Sequence, residues 1–193
     1  MNESDETKIL MMKQEIFSDK VKYFEQVSRM SEKLLRAAKI LDVPILSTEQ
    51  KPESLGPTIK PLRDLLNSSH IFPKTSFDML SVVELRDRLF DTLKIKNLII
   101  LGIETHICIL QTCLKALDHK IDVYVMADGV SSCNSGETRV ALQRIRESGG
   151  KITTTESMIY ELLKDSNHPR AKEIFKLVKE YSQSTKQAVE ALL

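Results

Sequence analysis

Asn97-Leu98-Ile99-Ile100-Leu101-Gly102-Ile103 constrains the fold more than any other segment. Asn97 is its one polar side chain, and the run shows no alternation of period two. As a strand it has no face to offer water, so it needs cover on both sides. Helices can supply that cover. Further strands are expected at Lys8 to Met12, Pro44 to Thr48, near Ile71, Ile121 to Ala127 and Lys151 to Thr155, separated by stretches of helical period. This alternation specifies an α/β fold with a mainly parallel sheet.

The clearest helix is expected from about Asp19 to Leu41, where Phe24, Val27, Met30, Leu34, Ala38 and Leu41 recur three or four apart. Other helices are expected at Ser81 to Leu93, Thr105 to Leu117, Ser135 to Ser148, Ser157 to Leu163 and Pro169 to Tyr181. Ser135-Gly136-Glu137-Thr138 and Thr155-Glu156-Ser157 read as capped helix starts. The chain after Tyr181 is polar and then apolar, and is expected to fray or to dock on a neighbouring subunit. Glu49 to Leu55, followed by Gly56-Pro57, reads as an irregular loop after the second strand. Loops at carboxyl ends of parallel strands are where such folds hold ligands.

Charge excludes several function classes. Lys+Arg number 28 and Asp+Glu 27, a net charge of +1, which provides no basic field for nucleic acid or anionic lipid. There is no twenty-residue apolar run to span a membrane. The acidic start Met1-Asn2-Glu3-Ser4-Asp5-Glu6 does not read as a secretory or transit signal. Cys108, Cys113 and Cys133 are odd in number and lack a CxxC spacing, which points to a reducing, cytoplasmic setting.

Two reactive side chains fall near expected strand ends. Cys108 follows the apolar strand and enters a helix, whose first-turn N–H groups and dipole favour a thiolate and could stabilise an oxyanion. A buried structural cysteine is the alternative. Lys74, in Phe72-Pro73-Lys74-Thr75-Ser76-Phe77, could hold a thiolate or a substrate anion by charge, or could simply be solvated.

The segments Phe72 to Phe77 and Gly102-Ile103-Glu104-Thr105-His106-Ile107-Cys108-Ile109-Leu110-Gln111-Thr112 resemble two signatures of the isochorismatase-like cysteine hydrolases. Within them, the similarity is greatest to the eukaryotic isochorismatase domain-containing proteins. Thr48 to Gly56, Ala127-Asp128-Gly129-Val130-Ser131-Ser132 and Asp165-Ser166-Asn167-His168-Pro169 agree, so the resemblance runs from about Thr7 to Tyr181. It implies a three-layer, doubly wound, six-stranded, mostly parallel sheet with helices on both faces. Residues 1–193 are then one domain, with a core of about 7–181 and a tail at 182–193.

The resemblance also implies a Cys–Lys–Asp site: Cys108 attacks, Lys74 stabilises the thiolate, and an aspartate ending the first strand moves the proton. A cis peptide is implied between Ile103 and Glu104, and a substrate pocket at Glu49, Gln50, Phe77, Ile103, Glu104 and Thr105. No cofactor is implied, and the family's habit is a homo-oligomer.

The sequence departs from the family at the aspartate. The family form Asp-x-Gln-Glu-x-Phe is here Met12-Lys13-Gln14-Glu15-Ile16-Phe17, and Lys22-Tyr23-Phe24 downstream keeps the register. A thioether cannot carry a proton, and losing general acid–base assistance costs ~10²–10⁴-fold. Glu49 is the nearest substitute acid, with Glu15 and His106 behind it. The related nicotinamidases hold a metal through an aspartate and two histidines after the second strand. This chain has Glu49-Gln50-Lys51 there, and His70, His106, His119 and His168 are far apart in sequence, so no metal is expected.

Two readings follow: a hydrolase-fold protein whose catalysis is impaired or lost and whose ligand is a small molecule, or an active thiol hydrolase of a small amide, ester or related bond using a substitute such as Glu49. A nucleotide-binding protein is disfavoured, because no Gly-rich phosphate loop follows any strand.

Overall fold

The structure, a computed structural model, describes residues 7–193. The acidic start at residues 1–6 lies outside the described residues. Six strands form one sheet: β1 (Thr7–Met12), β2 (Ile45–Gln50), β3 (Ile71–Lys74), β4 (Asn97–Ile103), β5 (Asp122–Ser131) and β6 (Lys151–Thr153). Their order is β3-β2-β1-β4-β5-β6, and all five neighbouring pairs are parallel.

The apolar β4 sits beside β1 at the centre, and both strands send alternate side chains into opposite layers. Leu10, Met12, Leu98 and Ile100 pack with Leu85 of α4 (Val83–Asp87), Cys113 of α5 (Leu110–Asp118) and Ile145 of α6 (Ser135–Glu147). Ile9, Met11, Ile99 and Leu101 pack with Met30 of α1 (Phe24–Ile40), Ile159 of α7 (Thr155–Leu163) and Ile174 of α8 (Ala171–Glu180). Each such burial stabilises by about 2 kcal/mol. This is the cover that the unalternating sequence of β4 demanded.

Several expected boundaries shift, each for a local reason. The helix expected from Asp19 begins at Phe24, because Tyr23 adopts a left-handed φ of 54° that interrupts the helical path. Glu49 and Gln50 are not loop: they complete β2 by pairing with Pro73 and Lys74. The rest of that stretch includes a short helix, α2 (Pro52–Leu55), and a second, α3 (Lys60–Arg63), follows. Asn134, without a side-chain cap bond, precedes α6, so the expected cap at Ser135 is corrected. At α7 the cap is Thr154, which accepts from Ser157 N–H. The tail is corrected too: Ser182–Leu192 forms a helix, α9, that docks on its own chain, burying Ala188 and receiving Lys33 Nζ on Thr185 Oγ1 at 2.9 Å. No helix among the described residues is long and apolar enough to cross a membrane.

The chain runs outward from β1 through β2 to β3, and in the other direction from β4 through β5 to β6. The carboxyl ends of β1 and β4 therefore flank the crevice where a doubly wound sheet binds ligands. Met12 and Gly102 pair across it. Gly102 has φ +117°, and a Cβ there would lie 2.2 Å from the Met12 carbonyl oxygen, so only glycine lets the two backbones approach.

Candidate active site

Cys108 lies in a wide helical turn, Thr105–Ile109, where Ile109 N–H reaches back five residues to Glu104 O at 3.2 Å. The Ile103–Glu104 peptide just before it is cis. Lys74 ends β3, and its Nζ is 3.5 Å from Cys108 Sγ. The ammonium also donates to Gln50 Oε1 and, at 2.8 Å, to Ser76 O. Gln50 is held in turn: its N–H donates to Gln14 Oε1 at 2.7 Å, and its Nε2 donates to Thr75 O at 2.7 Å. The fully buried Gln14 thus fixes the partner that fixes Lys74. Sequence reasoning gave Gln14 no role, although the glutamine of Asp-x-Gln-Glu-x-Phe was its signal.

A cavity of about 220 Å³ opens beside the thiol. Met12, Phe17, Leu55, Phe77, Ile103 and Ile107 make its wall apolar, and Gln50, Glu104 and Cys108 add polar atoms. Met12 stands in this wall, together with Gln50, Phe77, Ile103 and Glu104 from among the residues singled out in the sequence. Two expected pocket residues do not line it. Glu49 Oε1 accepts from Thr58 N–H and from Arg63 Nη1, both at 2.7 Å, so its carboxylate braces α3. Thr105 is fully buried beneath the turn. A larger groove of about 1130 Å³ lies at the opposite, amino ends of the strands, lined by Asn97 and Tyr124 among others and by no thiol.

The electrostatics correct a second expectation. Burial pushes the Cys108 thiol above its ordinary pKa and outweighs the pull of Lys74 toward thiolate, and Glu104 adds a smaller upward push. Burial likewise holds Lys74 below its ordinary value, against the opposing effect of the thiol. Desolvation is thus the largest influence on both members of the pair. Cys113 is fully buried and its thiol is pushed up further still, a structural side chain.

Cys133, given no role from sequence, meets Glu104 and His106, with one possible donor atom from each within 4.8 Å of the others. The sequence separation of the histidines could not have indicated this cluster, because its three members include only one of them.

The family model for the isochorismatase domain matches residues 11–157. Isochorismatase domain-containing protein 2A of Mus musculus is 41% identical over 169 residues, which cover 86% of this chain and 79% of that protein. Isochorismatase domain-containing protein 1 of Danio rerio is 36% identical over 166 residues, covering 86% of this chain but 58% of that longer protein. A solved structure described as MAR1 ribonuclease from Caenorhabditis elegans superposes with a TM-score of 0.85 at 34% identity, covering 91% of each chain.

Proposed function

The chain belongs to the isochorismatase-domain family, and from that premise we propose that it keeps a thiol pocket for small neutral carbonyl compounds while its hydrolytic turnover is impaired or lost. One observation carries the reading. Met12 occupies the cavity wall at the carboxyl end of β1, where the family resemblance puts a proton-carrying aspartate.

Hydrolysis through Cys108 would need three proton movements. The thiol proton must leave as Sγ bonds to the carbonyl carbon, and the leaving group must gain a proton as its bond breaks. A water must then be activated to release the acyl group. Lys74 can help the first movement by charge, but a thioether can perform neither the second nor the third. The apolar wall favours a neutral ligand, and a cavity of about 220 Å³ suits a small one.

The reading in which Glu49 replaces the aspartate loses support from the Thr58 and Arg63 bonds that hold its carboxylate elsewhere. A nuclease activity of the kind named for the nematode protein is not favoured by a net charge of +1 and a cavity of this size. We carry the homo-oligomeric expectation forward as part of the proposal, to be checked by light scattering.

The proposal is tested with p-nitrophenyl acetate, whose leaving group needs no proton. Mass spectrometry is expected to show one acetyl group per chain, on Cys108, accumulating with slow release. Sustained turnover that Cys108→Ala abolishes would overturn the impairment, and no adduct would overturn the reactive pocket.

A further inference from the structure

Glu104 and His106 follow β4, and Cys133 follows β5 by two residues. The two strands are neighbours, and Ile103 pairs with Ser131, so the pairing itself carries the three side chains to one place. A carboxylate oxygen, an imidazole nitrogen and a sulfur lie within 4.8 Å of one another, and all three residues are partly exposed. From this geometry we infer a Zn²⁺ site held by Glu104, His106 and Cys133 at the rim of the Cys108 cavity, apart from the Lys74–Cys108 pair.

The donor set selects the ion. Thiolate, imidazole and carboxylate together suit Zn²⁺, whereas Mg²⁺ and Ca²⁺ take oxygen donors. Bonds of about 2.0–2.3 Å to a tetrahedral ion put donors roughly 3.3–3.8 Å apart, so side-chain rotation of about 1 Å closes the site. As the Zn–S bond forms, the Cys133 proton passes to solvent. Glu104 carboxylate and Cys133 thiolate then balance the charge of the ion. Three protein donors leave one position for water or a ligand.

The surroundings already orient each donor, as outer-shell bonds do in metal sites. Cys133 N–H donates to Glu104 Oε2 at 2.8 Å, which ties the carboxylate to the residue carrying the sulfur. Ser132 Oγ is 2.9 Å from His106 Nδ1, and when Nδ1–H donates to it the lone pair sits on Nε2. Asn134 Nδ2 donates to Cys133 Sγ at 3.6 Å, a contact that helps to orient the sulfur. None of these three bonds is made by Lys74 or by Cys108 itself.

The test uses the full chain, stripped with chelator and titrated with Co²⁺ and then Zn²⁺. One equivalent of Co²⁺ is expected to give a thiolate-to-cobalt charge-transfer band that Zn²⁺ abolishes. The band should persist in Cys108→Ala and vanish in Cys133→Ser, while Ser132→Ala should weaken Zn²⁺ binding about tenfold. In the unaltered chain, saturating Zn²⁺ should slow alkylation of Cys133 at least about tenfold, a readout that needs no variant. Absence of the band, its loss in Cys108→Ala, its survival in Cys133→Ser, or unchanged Cys133 alkylation would each overturn the site.

Discussion

Lys74 Nζ stands 3.5 Å from Cys108 Sγ, yet burial acts against charge on both: it is the largest influence on each, lowering the lysine and raising the thiol. Because the thiolate is disfavoured at neutral pH, iodoacetamide alkylation of Cys108 should be slow near pH ~7. It should rise about tenfold per pH unit and still be climbing at about pH 8.5, where an ordinary thiol is half ionised. A rate that levels off below about pH 7 would contradict this balance.

Lys74→Met should slow that alkylation further. The ammonium is the influence that pulls the Cys108 thiol down, so its loss should reduce the rate at about pH 8 by roughly tenfold. Gln50 Oε1 and Ser76 O would also lose a buried donor, at a cost of about 1–3 kcal/mol in denaturant unfolding. Equal rates in variant and parent would mean that the lysine does not sense the sulfur.

Gly102→Ala should be among the most damaging small substitutions. The new Cβ would meet the Met12 carbonyl oxygen at 2.2 Å on a backbone with φ +117°. A loss of about 3 kcal/mol or more is expected in urea unfolding. A loss below about 1 kcal/mol would mean that the central strands separate easily.

Asp128 gives a pH test of stability. It is fully buried, its Oδ1 accepts from Thr155 N–H at 2.7 Å and from Thr155 Oγ1 at 2.8 Å, and its Oδ2 has no hydrogen-bond partner among the described residues. Burial raises its pKa, so above about pH 4 the native chain keeps a proton that the unfolded chain releases. Stability from this group is full below the unfolded pKa and is lost as pH rises through the native one. The Tm of Asp128→Asn should therefore gain on the parent as pH rises from about 4 to about 7. A difference constant over that range would contradict the raised value.

The sheet was legible in sequence because β4 is apolar without alternation, and burial on both faces is the simplest way to use such a strand. The placing of Cys108, Lys74 and Met12 at strand ends was legible from motif order and register. Three things were not. The direction of the Cys108 shift depends on how deeply the turn is buried, which no local pattern encodes. Glu49 looked free because its partner Arg63 is fourteen residues onward, in a helix too short to show a period. Cys133 meets Glu104 and His106 only through the pairing of β4 with β5, and nothing near Cys133 in sequence suggests a ligand.

Restoring the carboxylate at Met12 tests the central claim most directly. Met12→Asp, assayed against a panel of small amides and esters, should hydrolyse at least one substrate about 10²–10⁴-fold faster than the parent, and adding Cys108→Ala should abolish the gain. A parent that already turns over such a substrate through Cys108, with no gain from the aspartate, would contradict the account.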